Sequence, residues 1–325
     1  MNPKLDRKLS LLHATAINMI DMVGIGPFVV LSVVAQIMGG PYFLYAWIAG
    51  AILSYVDAMV WSQLGAALPK AGGSFHFLKE GYGGKWGKLM SFLFVWQTMI
   101  QAPLVIASAA IGFSQYANYF FHLSFIQEKL VSGGVVILVI SLLYRNIESI
   151  GRISVLLWVG VITTLLWIIF GGIAHGNFME PILHINDGLK IEYGLVAALG
   201  FASVKTVYSY LGYYNVCHLG AEIKNPTKNI PRSMFISITG ISILYLAMNI
   251  SVASVLPFDT IVNSKFVVSD YIKTLYGQNA GAIATVLILM VAFASVFSAT
   301  LGYSRIPYAA AQDKSFFAFF AKVHP

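Results

Sequence analysis

The 325-residue chain is 58% apolar and 10% charged, with a mean hydropathy of +0.76. Soluble domains carry about 25% charged residues, which sets a water-soluble reading aside. The formal charge of +7 raises nucleic acid as a partner, and the single cysteine, Cys217, leaves no intramolecular disulfide.

The N-terminus, MNPKLDRKLSLLHA, is basic and then apolar. The apolar run continues without a small-residue cleavage site, so a retained first span is expected, not a removed signal peptide. A helical span needs about 20 mostly apolar residues. Eight stretches qualify: 10–38, 41–68, 89–120, 125–144, 153–173, 193–221, 233–256 and 279–311. Long continuous runs predict helices, not the short alternating strands of a barrel. The first is interrupted at Gly24-Ile25-Gly26-Pro27 and the sixth around Leu211-Gly212. Three charges, Asp21, Asp57 and Lys205, sit well inside spans. The longest polar gaps are 69–88, 174–192 and 257–278. In the last, VSDYIKTLYG (Val268–Gly277) has helical spacing and reads equally as a surface helix or a loop.

Loop lysines and arginines set the orientation. With the N-terminus inside, the inner segments hold Lys4, Arg7, Lys8, Lys70, Lys79, Lys85, Lys88, Arg145, Arg152, Lys224, Lys228, Arg232, Arg305, Lys314 and Lys322. The outer segments hold Lys129, Lys190, Lys265 and Lys273. The excess charge is therefore a topology signal in a lipid bilayer and not a nucleic-acid face. The expected location is the cell membrane, with a cytoplasmic N-terminus.

Four stretches carry a resemblance. ALPKAGGSFHFLKEGYG (Ala67–Gly83) has a proline, a Gly-Gly pair and aromatics after the second span. YSYLGYYNVCHLGAEIKNPTKNIPRSM (Tyr208–Met234) has the order aromatic, Gly, Glu, Ile, Lys, Asn-Pro, Pro-Arg. YSRIPYAAAQDKSFFAFFAKVHP (Tyr303–Pro325) follows the eighth span, and the Gly-x-Gly of span 1 opens the series. Together they resemble the amino acid–polyamine–organocation permeases. The resemblance implies an all-α, leucine-transporter-like inverted-repeat fold. Spans 1–5 (10–173) would be the first repeat, and spans 6–8 with the start of the next loop (193–325) part of the second. Such permeases have about twelve spans, so a fragment or split product is expected.

The interruptions fit that implication on physical grounds. Broken helices survive in lipid only where they line a cavity, and paired Gly/Pro breaks in two halves point to a carrier's site. Pro27 suits the first turn of a new half-helix, whose free amides favour a carboxylate. The carbonyl ends near Val23 and Tyr210 favour an ammonium. An α-amino acid presents both charges. A glycine-kinked helix packed against a neighbour is the alternative. The expected substrate-binding residues are Gly24, Ile25, Gly26, Tyr208, Ser209, Leu211 and Gly212, with Tyr208 an aromatic gate by resemblance.

Intramembrane charges are functional candidates. Lys205, Tyr208, Ser209 and Gly212 share a helix face, and Lys205 is expected to pair with Asp21 or Asp57 or to meet substrate anions. Ser295 and Ser298 are candidates for a cation site beside span 1, with packing as the alternative. Coupling to H+, coupling to Na+ and exchange all stay open. Glu222, Pro226 and Arg305 are read as inner-gate and structural residues. His218 is expected to be a satisfied histidine. No metal set, catalytic constellation or nucleotide loop appears, so an enzyme is not expected. The reading is a secondary carrier for amino acids with no cofactor; a polyamine or organocation carrier, or a non-transporting membrane fragment, is the alternative.

Overall fold

The computed structural model describes residues 5–190, 193–264 and 266–322. Lys4 and Lys265, two of the charges that set the orientation, lie outside them. The described residues form fourteen α-helices and no strand. They are α1 Leu11–Met22, α2 Gly26–Met38, α3 Leu44–Ala67, α4 Ser74–Tyr82, α5 Gly84–Phe121, α6 Phe125–Leu143, α7 Ile147–His175, α8 Glu180–Leu183, α9 Tyr193–Tyr210, α10 Asn215–His218, α11 Pro226–Ala253, α12 Phe258–Asn263, α13 Val267–Tyr276 and α14 Gln278–Gln312.

Each of the eight apolar stretches contains a helix. Six helices are long and apolar enough to cross a membrane, and α1 with α2, bent by 45° at their break, makes a seventh. The eighth is α9, where Lys205 and three tyrosines lower the apolar content. Some helices outrun their apolar stretch because local chemistry extends them. The Asn146 side chain caps α7 by accepting from the Ser149 amide, and Glu148 pairs with Arg152 one turn on. The segment at 268–277 is a helix, α13, with Val268, Tyr271 and Ile272 buried against the bundle.

The exposed side chains of α3, such as Ile52, Leu53, Val56, Met59 and Val60, form an apolar outer face. This is the inversion expected where lipid is the solvent. Inside, small residues let helices approach. At Gly65 on α3, an added Cβ would lie 2.7 Å from Ile230 and 2.8 Å from the Cys217 sulfur.

Loops assigned to one side are bonded to one another. Lys70 pairs with Glu80 at 2.6 Å, and Lys79 on α4 pairs with Asp313 beyond α14. Leu9 bridges to Ile223, and Ala71 to Leu219. These contacts gather the N-terminal segment and the basic loops at one end of the bundle. At the other end Tyr45 donates to Asn186, and a cavity of about 980 Å³ opens between α2, α5 and the segment around Phe266.

Candidate functional site

The two interrupted helices meet at the centre. α1 closes with the Val23 amide on the Met19 carbonyl. α2 starts at Gly26 with Pro27 in its first turn and no side-chain cap, so its first amides lack intrahelical partners. α9 ends at Tyr210, a turn covers 211–214, and α10 follows. Gly212 sits at φ +126°, and a Cβ there would lie 2.7 Å from the Met22 nitrogen and 2.8 Å from the Asp21 carbonyl carbon. Glycine is required here both by the backbone angle and by the crossing of one break over the other. Asn18 on α1 accepts from the Val216 amide at 3.1 Å and so caps α10.

A cavity of about 150 Å³ lies at this crossing. It is small beside the roughly 300–1,000 Å³ of sites for drug-sized ligands. Gly24, Ile25, Gly26, Tyr208, Ser209, Leu211 and Gly212, all expected from the sequence, line it together. Asp21 and Ser295 line it too, with Gln101 and Ser108 of α5 and Tyr303 of α14. Tyr208 is 55% exposed and forms one wall.

The pairing of Lys205 with an aspartate is not found. None of the six ion pairs among the described residues includes Lys205, Asp21 or Asp57. Asp57 instead accepts from the Tyr213 hydroxyl at 2.5 Å. Lys205 is exposed because the face of α9 turned to α3 is taken by its neighbours: Thr206 donates to the Ala46 carbonyl and Tyr210 to that of Trp47. Its shared face with Ser209 is likewise split, since Ser209 is buried.

Ser298 is not free for a cation. The Asn215 amide nitrogen donates to its carbonyl and hydroxyl, both at 3.0 Å, and the hydroxyl donates to the Ile17 carbonyl at 2.8 Å. An N–H group thus fills the oxygen cluster. Ser295 lies across from Gly24, where a Cβ would stand 2.8 Å from its hydroxyl. Two helix-end carbonyls are also occupied, because the Tyr245 hydroxyl lies 2.8 Å from the Met22 oxygen and 3.3 Å from that of Ser209.

At the basic end Arg305 grips Glu222 with two bonds of 2.9 Å. The Glu222 carbonyl accepts from the Leu9 amide. Pro226 opens α11 after Asn225, which adopts φ +45°. His218 departs from expectation: it is 3% exposed, and its Nδ1 has no hydrogen-bond partner. Tyr245, Asn215, Tyr214 and Tyr303 also escape the sequence reading. Asn215 and Tyr214 adjoin the second break, and Tyr245 is a lone polar ring in an apolar span; those were the available signals. Among the described residues no cluster of histidine, cysteine or acids could hold a metal.

A helical bundle for the membrane, with a small cavity where two interrupted helices cross, is the architecture of a carrier and not of an enzyme. The chain belongs to the amino acid permease family, whose pattern it matches over residues 9–325. It is 26% identical to the serine/threonine exchanger SteT of Bacillus subtilis (strain 168), over 99% of this chain and 72% of that protein. It is 26% identical to the large neutral amino acids transporter small subunit 2 of Mus musculus, over 98% and 61%, and 24% identical to the Homo sapiens cystine/glutamate transporter, over 95% and 62%. The chain thus spans about three-fifths to three-quarters of the length of these relatives.

Proposed function

We propose that this chain is a secondary carrier that holds an α-amino acid at the crossing of the two breaks and moves it across the cell membrane by alternating access. The observation that carries the reading is the pairing of opposite electrostatic ends around one cavity. On one wall are the uncapped first-turn amides of α2. On the other is the Asp21 carboxyl group, with no cationic partner among the described residues. Amides at a helix N-terminus favour the substrate carboxylate, and Asp21 favours its ammonium. Tyr208 and Gln101 complete the wall.

In this reading α1/α2 and α9/α10 open the two inverted repeats, and the lysine- and arginine-rich end faces the cytoplasm. The large opening beside Phe266 is the outer approach, and the Arg305–Glu222 pair closes the inner side. The relatives named for serine, threonine and large neutral amino acids support a neutral amino acid substrate. The test is a binding screen on the purified chain with radiolabelled L-serine, L-threonine, L-leucine and L-glutamate beside spermidine. Saturable binding of an amino acid is expected. Binding of spermidine alone would establish the organocation reading in its place.

A further inference from the structure

We propose that Asp21, the Tyr214–Tyr303 pair and His218 form a proton path from the substrate cavity toward the basic end of the bundle. The proposal rests on the carrier reading above and adds the coupling ion and the residues that carry it.

Three of the four groups face the cavity: Asp21, Tyr214 and Tyr303. The two tyrosine side chains, one from the second break and one from α14, come close to each other in this cavity and share its lining with Asp21. His218 stands one layer further on. Its ring is 6.0 Å from that of Tyr214 and 6.2 Å from that of Tyr303. Its carbonyl accepts from the Gly72 amide in the loop before α4, which places it on the basic side of the cavity. Two residues beyond Tyr303 on α14 is Arg305, gripping Glu222.

The groups around His218 are neutral. They are Tyr214 and the adjacent Cys217 thiol on its own segment, Tyr303 from α14, and the Gly72 amide of the loop before α4. The acidic group that shares the cavity with the tyrosine pair is Asp21 on α1, which has the Asn215 side chain beside it. None of the six ion pairs among the described residues includes His218. A buried imidazole nitrogen without a partner costs stability. Burial also opposes a charge on the ring, so a proton taken up there is held only transiently.

The competing cation site is closed, because the Asn215 amide fills the oxygens around Ser298. A proton needs only a lone pair. When a substrate ammonium arrives at Asp21, the carboxyl proton passes to one tyrosine hydroxyl. That hydroxyl gives its own proton to the second, and the second gives its proton to Nδ1 of His218, taken with its other proton on Nε2. Both tyrosines end neutral, Asp21 ends as the carboxylate and His218 as the imidazolium. The last hop requires a ring rotation, since Nδ1 has no partner in this arrangement. Substrate and proton thereby move in the same direction.

Two measurements test this. The first needs no amino acid. Nitrogen NMR of histidine-labelled chain in nanodiscs identifies the His218 signal by its loss in His218→Gln. In Asp21→Asn its protonation midpoint is expected to move to lower pH, and an unchanged midpoint would overturn the path. The second uses proteoliposomes and whichever radiolabelled amino acid binds. A gradient of one pH unit, acid outside, is expected to raise accumulation by up to about tenfold for one coupled proton. His218→Gln, which leaves the cavity lining untouched, should lose that accumulation and retain counterflow exchange; Tyr303→Phe and Tyr214→Phe, which keep the rings packed, should lose the accumulation too. Accumulation equal to the unaltered chain in His218→Gln or in both tyrosine variants, or an unaltered chain that exchanges but ignores the gradient, would overturn the inference while leaving the carrier reading intact. Failure of every amino acid to bind is the separate outcome that removes the carrier reading.

Discussion

The Tyr245 hydroxyl lies 2.8 Å from the Met22 carbonyl oxygen, and the Ser209 carbonyl is at 3.3 Å from the same hydroxyl. One side chain of α11 therefore holds the carbonyl ends of both interrupted helices. Its ring packs on Trp47 and Tyr210, with centroids 5.5 and 5.3 Å away. Tyr245→Phe keeps that packing and removes only the bridge. Leaving buried carbonyls unpaired costs about 1–3 kcal/mol. The variant should show a lower thermal midpoint in detergent and weaker amino acid binding, and a full alanine truncation should be worse on both.

Gly212 makes the crossing of the breaks possible. Gly212→Ala meets the Met22 nitrogen and the Asp21 backbone and adds a side chain at φ +126°. Backbone placed in such a region costs on the order of 1–3 kcal/mol before any clash is counted. The chain should express at reduced level and lose substrate binding, read by radioligand retention. Gly26→Ala is the control: a Cβ there meets nothing within 4 Å, so stability should be retained.

The Arg305–Glu222 pair gives a double-mutant test. The Glu222 side chain is 2% exposed and that of Arg305 20%. Removing one partner of a buried pair costs about 3–5 kcal/mol, and removing both costs less. Arg305→Met should therefore lower the thermal midpoint more than the Arg305→Met/Glu222→Leu double variant does.

Much of this was legible in the sequence. Eight apolar runs, their basic loops and the Gly24–Pro27 and Leu211–Gly212 interruptions need only hydropathy and backbone chemistry to be seen. The cavity residues followed because helix ends in lipid must line something polar. What escaped was the third dimension between segments. Asp57 and Tyr213 are 156 positions apart, so no helical spacing links them. Helical period alone puts Lys205 on the cavity face, yet it turns outward because Thr206 and Tyr210 take the contact with α3. His218 had no neighbour in sequence to mark its unpartnered nitrogen, which depends on α14 and the loop before α4.

On the basic end, burial first and then the Lys70 ammonium hold the His76 imidazole below its ordinary value. Native protein therefore binds this proton less readily than the unfolded chain does. Below about pH 6.5, the ordinary histidine value, the unfolded chain protonates first and stability is lost as pH falls. His76→Gln should remove that part of the loss. Thermal midpoints of the two proteins between about pH 7.5 and about pH 5.5 should converge or cross as the sample is acidified, with no difference in slope at higher pH.

The claim that one small cavity reads both charges of an amino acid is tested most directly with a matched set of ligands. Whichever L-amino acid binds would be compared with its decarboxylated amine and its hydroxy-acid analogue, by competition on the purified chain. Each lost charge-assisted contact is worth about 1.5–3 kcal/mol, so both analogues should bind at least about tenfold more weakly. Asp21→Asn should weaken the amino acid and leave the hydroxy acid nearly unaffected. If the amine binds as tightly as the amino acid, the α2 amides do not hold a carboxylate and the account is wrong.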